Sequence, residues 1–529
     1  MVEKFIPYVI IVIVILLLVM LSQKLKVAYP VVLVLGGLAI SFIPGLPPIQ
    51  IDPELIFIIF LPPLLYEAAW YTSWKELWKW RRVIGSFAFL IVLITSLVVA
   101  LVAHSCIPGF TLALGFLLGG IVSPPDAVSA TSILKQVKVP KRVTSILEGE
   151  SLLNDASSLI VFRFALIAVS TGSFVFREAA TSFVLVIVMG IATGLIVGAI
   201  YYALHRWLPT DANIDVVLTL TAPYVMYIVA EQFHFSGVLA VVSGGLFLSA
   251  RSHLIFSHRS RLRGATVWSA LSFVLNGLVF ILIGLELPVI VAGLGGVSLA
   301  AAIGYGVLIT LVLVISRILC TLGASVFTVF ISRYITTADN RPGWRGPVII
   351  GWAGMRGVVS LAAALSVPFY LTDGAAFPQR NLILFITFMV ILLTLVVQGL
   401  TLPFVIRKVH MEDPDRHLSP EQQEVQVKRM LAERSVAFMK AYESPIFEEH
   451  EALRYMKVKY EGEQHLPDEE DPAEHIAFRD AYLQLLDRQR TWLMEWNHRD
   501  DMDEEVIRKY LWLVDLEEEK HRVRYEHEG

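Results

Sequence analysis

Over its first 410 residues the chain carries apolar side chains in long blocks, separated by short stretches that hold the charges. This is neither the alternation of a half-buried strand nor the narrow stripe of a surface helix. A bilayer core takes about 20 apolar residues as a helix, because backbone groups left unpaired in hydrocarbon are costly. Thirteen blocks are candidate spans: 5–23, 28–46, 52–70, 82–106, 110–134, 148–171, 179–205, 214–234, 236–250, 266–290, 297–331, 346–369 and 381–406. The block 236–250 is short, whereas 297–331 is long enough to tilt or to carry an interfacial end. The first block lacks a small-residue cleavage site and is long for a signal-peptide core, so it reads as a true span.

After Arg407-Lys408 the pattern changes. Ser419-Pro420-Glu421-Gln422 reads as a helix start, with Ser as cap and Pro at the first position, and apolar positions continue to Phe438. A second helix opens at Asp471-Pro472 and carries Ile476, Phe478, Tyr482 and Leu485 on to Trp496. A third runs from about Asp503 past Leu516. These stripes predict a small helical core rather than a cofactor site.

Composition supports the division. The chain is 56% apolar and 17% charged, with mean hydropathy +0.65, which excludes an ordinary soluble enzyme, a disordered regulator and a basic nucleic-acid binder. Residues 411–529 hold 31 acids and 17 bases, a net charge of −14, so residues 1–410 carry +10. The expected organisation is a membrane body, 1–410, and an acidic cytoplasmic helical domain, 411–529. Cys106 and Cys320 both lie in apolar runs and offer neither a disulfide framework nor zinc spacing. With the tail inside, thirteen spans place the N-terminus outside. Eighteen Lys and Arg then fall in inner loops against only Arg177 and Arg380 outside, with Lys4 on the short N-terminal arm. That is a strong positive-inside bias.

Ionisable residues at membrane depth are functional candidates by default. They are Glu67, Asp126, Glu150, Asp155, Arg163, Arg317 and Arg356, with Glu148, Glu231 and Glu286 nearer span ends and read there as solvated. The fifth span contains Ser123-Pro124-Pro125-Asp126, where two consecutive prolines remove two backbone donors and clash with the preceding turn, which argues against a continuous helix. Two half-helices are expected there, with freed carbonyls and one acid at the break. The twelfth span, with Gly351-Trp352-Ala353-Gly354-Met355-Arg356-Gly357, is equally poor for a continuous helix. Spans 1–6 and 8–13 overlay as two inverted six-helix units around span 7, and both broken spans are fifth in their unit. Paired interruptions in inverted halves point to the site of a secondary transporter.

The sixth span opens Glu148-Gly149-Glu150-Ser151-Leu152-Leu153-Asn154-Asp155, so Ser151 and Asp155 share one helix face. A carboxylate, a hydroxyl and broken-helix carbonyls are hard oxygen ligands, suited to Na⁺ or Li⁺ and unsuited to zinc or copper. A carboxylate in a partly dry site can exchange a proton for a cation near neutral pH, which is the chemistry of an antiporter. K⁺/H⁺ exchange or broad monovalent selectivity is the alternative, because oxygen ligands alone do not fix cavity size. An intramembrane aspartyl protease using Asp126 and Asp155 is disfavoured, since no Gly-x-Gly-Asp precedes either acid. A cation channel is disfavoured by the lack of a repeated pore loop.

The strings GGIVSPPDAVSATSIL, LEGESLLNDASSLIVF, ISRIL and GWAGMRGVVSLAAAL resemble monovalent cation:proton antiporters of the Na⁺/H⁺ exchanger branch, especially its bacterial NhaP-type members. The resemblance covers about residues 5–407 and does not extend to the tail. It implies an antiporter without a cofactor, in the cell membrane, serving pH homeostasis as a homodimer. It also implies that Asn154 and Asp155 are the family's Asn-Asp pair, with Asp155 binding both cation and proton. Asp126 matches the acid after the fifth-span break, and Ser151 the hydroxyl one turn before the essential acid. Glu67, in Leu65-Tyr66-Glu67, matches the third-span glutamate that helps coordinate the ion in archaeal members. Na⁺ would then sit at Asp155, Ser151 and Glu67. Glu150 would pair with Arg317 as a structural ion pair, and Arg356 matches the arginine of the broken twelfth span. Relatives often carry Thr directly before the fifth-span acid, where this chain has Pro125, which can supply a carbonyl but no side-chain ligand. An Asn-Asp pair implies electroneutral exchange, one cation for one proton.

Overall fold

The computed structural model describes residues 2–25, 27–43, 53–134, 137, 139–172, 176–294, 296–332, 343–371, 374–411, 420–442, 450–465, 472–497, 502 and 504–525. The fold is all-α, and the described residues contain no strand; a lone antiparallel bridge joins Tyr370 and Ala376. The chain divides into two compact units, Met1–Asp413 and Pro414–Gly529.

Every block read as a span contains helix. The first unit runs through α1 (Val2–Leu25), α2 (Tyr29–Ser41), α3 (Pro53–Tyr71), α4 (Trp74–Gly85), α5 (Val92–Cys106), α6 (Leu112–Val122) and α7 (Ala127–Leu134). It continues with α8 (Lys141–Thr171), α9 (Phe176–Trp207), α10 (Ala212–Gln232), α11 (Gly237–Ala250), the short α12 (Ser252–Ile255), α13 (His258–Leu285) and α14 (Leu287–Ala292). The last elements are α15 (Leu299–Ile331), α16 (Arg345–Trp352), α17 (Val358–Leu365), α18 (Arg380–Leu393) and α19 (Gly399–Val409). By length and composition, eight helical stretches among the described residues can cross a membrane, and Val9–Leu25, Tyr29–Ser41 and Gly237–Ala250 are shorter apolar helices. The block ends at 44–46 and 52 lie outside the described residues.

Three helices begin seven or eight residues before their apolar blocks: α8 at Lys141, α13 at His258 and the fourth helix. The fourth helix begins at Trp74, eight residues before its apolar block, because Ser73 caps it by accepting the Glu76 N–H at 3.5 Å. It then passes into α5 through a π-helical turn, Ser86–Ile91, and a second π turn, Thr394–Gln398, links α18 to α19. Both interruptions predicted from Pro and Gly are present: α6 stops at Val122 and α7 resumes at Ala127, while α16 stops at Trp352 and α17 resumes at Val358.

Two apolar clusters fill the first unit. The larger includes Val99, Leu117, Ile121, Phe280, Ile349, Phe385 and Ile391, and the smaller Tyr66, Met226, Leu239 and Trp268. The long helix α8 lies between them, contributing Ile146, Leu147 and Phe162 to one and Leu152 and Ala156 to the other. It also buries five polar residues: Glu150, Asn154, Asp155, Ser157 and Ser158. A helix with no water on these faces must find partners for those groups inside the protein.

The second unit holds helices Pro420–Ala441, Glu451–Glu463, Pro472–Trp496 and Glu504–Tyr525. Three were expected; Glu451–Glu463 was not, and it buries none of its residues. The expected helix starts at Ser419, Asp471 and Asp503 lie outside the described residues. Leu486, Leu493 and Ile507 are buried, and Arg490 joins the last two helices by hydrogen bonds to Asp515 at 2.8 and 3.0 Å.

Candidate functional site: two interrupted helices beside Asp155

The two breaks meet. The Asp126 backbone N–H, freed because its helix is interrupted, donates to the carbonyl of Met355 in the other break at 2.7 Å. The Asp126 carboxylate turns to the start of α7, accepting from the Val128 N–H at 3.0 Å and the Ser129 hydroxyl at 2.6 Å. An acid at this end of a helix meets both unpaired N–H groups and the positive end of the dipole. Gly357 allows the approach, since a Cβ there would strike the Asp126 carboxylate. Gly357→Ala is therefore expected to cost about 1–3 kcal/mol by overpacking, read as a lower thermal-unfolding midpoint. An unchanged midpoint would show that Asp126 yields without cost.

Helix α8 is fastened to the fifth-span break at two points. The Ala127 N–H donates to the Ser151 hydroxyl at 3.2 Å, and the Asn154 side-chain amide donates to the Pro125 carbonyl at 3.1 Å. The Pro125 carbonyl therefore points at Asn154 in this conformation. The carbonyl oxygen of the Asn154 side chain is buried without a partner. Asp155 follows, 5% exposed, and its carboxylate takes no hydrogen bond among the described residues. Asn154 and Ser151 thus hold the two sides of the break, at Pro125 and Ala127, next to Asp155, while the Asp126 carboxylate between them faces α7. Glu67 sits half-buried on α3, directly after the fully buried Tyr66, and α3 packs against α8 and α17.

Two buried arginines frame the site. The Arg356 guanidinium, with no exposure, donates to the Val122 carbonyl at 2.8 Å and the Ser123 carbonyl at 3.2 Å, and also contacts the Gly354 carbonyl. It thereby satisfies the last carbonyls of α6, which have no partners within the helix and carry its partial negative charge. The Arg356 backbone N–H donates to the Thr394 hydroxyl at 3.1 Å. Arg317 meets Glu150 through two parallel hydrogen bonds of 2.8 and 2.9 Å, with both side chains at most 1% exposed. Gly354 leaves the space that both arginines occupy, since a Cβ there would contact each of them.

Two polar groupings escape a reading of the sequence. Arg163, two turns past Asp155, donates to Glu231 at 3.1 Å and to the His234 carbonyl at 3.2 Å. Glu231, read from its place near a span end as solvated, keeps 36% of its side chain exposed and is partnered as well. The second grouping is buried: His205 bonds Asp215 at 2.9 Å, and Asp215 also accepts from the Ser260 hydroxyl at 2.7 Å. The signal that could have found it is an acid one turn into α10 facing a histidine at the end of α9. Among the described residues no cluster of three or more His, Cys, Asp or Glu could hold a metal ion.

Interrupted helices that cross beside a buried carboxylate, with half-helix ends turned toward one another, are the architecture of a secondary transporter. The chain belongs to the sodium/hydrogen exchanger family, whose transmembrane region matches residues 9–408. It is 36% identical over 386 residues to the sodium, potassium, lithium and rubidium/H(+) antiporter of Bacillus pumilus, covering 71% of this chain and 57% of that protein. The chain thus spans little more than half the length of that relative. It is 31% identical over 488 residues to the Na(+)/H(+) antiporter ApNhaP of Aphanothece halophytica, covering 90% of this chain and 87% of the relative. Its fold matches that of the sodium proton antiporter MjNhaP1 from Methanocaldococcus jannaschii, with a TM-score of 0.63 at 19% identity, over 78% of this chain and 100% of that one.

Proposed function

We propose that the chain is a transporter rather than an enzyme, and that it exchanges Na⁺ or Li⁺ for H⁺ across the cell membrane. Cation and proton compete for Asp155. The observation that carries this reading is the Asp155 carboxylate, buried beside two crossed helix breaks and without a hydrogen bond from the described residues. Such a group needs either a proton or a cation to offset its charge. Ser151 and Glu67 complete the oxygen set, while Asp126 and Asn154 hold the break in place. Exchange of K⁺, or of several monovalent ions, is the second reading, favoured by the range of ions in the name of the Bacillus pumilus relative. The scheme includes thirteen crossings in two inverted six-helix units, an outside N-terminus, a cytoplasmic tail and a homodimer. Dequenching of a pH-sensitive dye in everted vesicles, with Na⁺, Li⁺ and K⁺ added in turn, tests the exchange and ranks the ions. No response to any of the three would refute it.

Competition at one carboxylate has a kinetic signature. Raising the proton concentration should raise the apparent KM for Na⁺, while saturating Na⁺ restores the rate. With Asn154 rather than a second acid beside Asp155, each half-cycle carries one positive charge. Net exchange should then ignore an imposed potassium/valinomycin potential. A rate that climbs steeply with that potential would mean that Asp126 or Glu67 also titrates in the cycle.

A further inference from the structure

A groove of about 880 Å³ opens between α4, the first π turn, α8, α15 and α16, within the range of about 300–1,000 Å³ usual for small-ligand sites. Nothing in the ion site accounts for it. Its chemistry is divided. Lys79, Arg81 and Arg82 of α4 and Arg142 at the start of α8 line one part, and Leu90, Ile94 and Phe327 belong to its apolar wall. No acidic side chain is among its described lining residues. Lys79, Arg82 and Arg142 also have contacts within the protein, so what matters is the balance of charge. The nearby acids on the same two helices are Glu76, which accepts the Trp80 indole N–H at 3.2 Å, Glu148, and Glu150, whose charge Arg317 offsets; that leaves Glu76 and Glu148 to set against the bases. Four bases against two acids leave the basic part of the groove positive.

We propose that this groove binds an anionic phospholipid, with the phosphodiester on the basic ridge and an acyl chain along Leu90, Ile94 and Phe327. These three side chains are 57%, 37% and 61% exposed, respectively, so the wall opens to the lipid phase rather than closing as core. The ridge has the makeup of a headgroup-level anchor: the Arg81 guanidinium lies 4.5 Å from the Trp78 ring centre and the Lys79 amine 5.2 Å from that of Trp80. Basic pockets between spanning helices recognise anionic headgroups in this way. A free phosphate would leave the apolar wall uncovered, and a zwitterionic lipid would leave the ridge uncompensated. A second copy seated on the same groove would bring like charges face to face. The ligand would also brace the buried ion pair, because Ile146 and Thr321 line the groove one helical turn from Glu150 and Arg317, respectively.

The full-length protein in detergent, titrated with dioleoyl phosphatidylglycerol, dioleoyl phosphatidylcholine or inorganic phosphate, tests this by native mass spectrometry and thermal unfolding. Phosphatidylglycerol should bind at least about tenfold tighter than phosphatidylcholine and raise the unfolding midpoint, while phosphate changes nothing. Arg82→Gln/Arg142→Gln should weaken phosphatidylglycerol about 25-fold, at about fivefold for each base removed. Ile94→Trp, which fills the wall from its exposed side, should weaken both lipids and serves alone if the double variant does not fold. Equal binding of the two lipids, or undiminished phosphatidylglycerol binding in a folded variant, would overturn the proposal. So would stabilisation by phosphate alone, and so would a loss of dimer in Ile94→Trp with lipid binding unchanged. None of these readouts depends on ion exchange, so the two proposals fail separately.

Discussion

Asp155→Asn is expected to abolish cation-driven proton movement while leaving the protein folded. The two side chains are nearly isosteric, and the carboxylate has no hydrogen bond among the described residues to lose. The fastening of α8 to the fifth-span break is made by its neighbours Ser151 and Asn154, so it survives the change. What disappears is the only group at that position able to alternate between a proton and a cation. Dye dequenching in everted vesicles should fall to the level of vesicles without the protein, with an unchanged melting midpoint in detergent. Full-rate exchange in the variant would remove Asp155 from the mechanism.

Glu150→Gln and Arg317→Ala are expected to act in the opposite way, on the fold before the function. Removing one partner of a buried, doubly hydrogen-bonded pair strands the other charge at a cost of about 3–5 kcal/mol. In Glu150→Gln the stranded guanidinium also keeps Arg356 close by across Gly354, without the carboxylate that compensated it. Each single variant should melt well below the parent protein. The pair Glu150→Leu/Arg317→Met, which takes both charges out, should recover part of the loss. Single variants that melt like the parent would mean that the pair carries little of the stability.

The helix breaks were legible because their causes are local. Pro124 and Pro125 remove backbone donors next to an acid, and Gly354 and Gly357 bracket an arginine; neither sign suffices alone, since Pro62-Pro63 lie inside the continuous α3 and Arg317 inside the continuous α15. That Asp126 of one break meets Met355 of the other was not legible, because an inter-helix hydrogen bond leaves no trace in composition. The same holds for Arg163, whose partner Glu231 looks like any acid near a span end. Asp215 was hidden for that reason too, although burial with His205 and Ser260 removes it from water. In the tail, Glu451–Glu463 went unseen because it buries nothing, so no apolar stripe marked it. Apolar spans also hide the two π turns, since a block that is hydrophobic all round has no phase to slip.

Those two turns have a geometric consequence. A helix advances about 100° per residue, and a π turn widens the ring by one residue, so the sectors above and below it are rotated against each other. In the first turn the Ala88 carbonyl accepts from the Ser157 hydroxyl of α8 at 2.5 Å; in the second, Thr394 accepts from the Arg356 backbone. Each turn is thus pinned to the site, the first to α8 and the second to the break between α16 and α17, and its extra residue fixes the azimuth of everything beyond it. Shortening Ser86–Ile91 by one residue would swing α4 by about a quarter of a revolution relative to α5. Lys79 and Arg82 would then point along a different meridian from Leu90 and Ile94, and the basic ridge and the apolar wall would cease to belong to one groove.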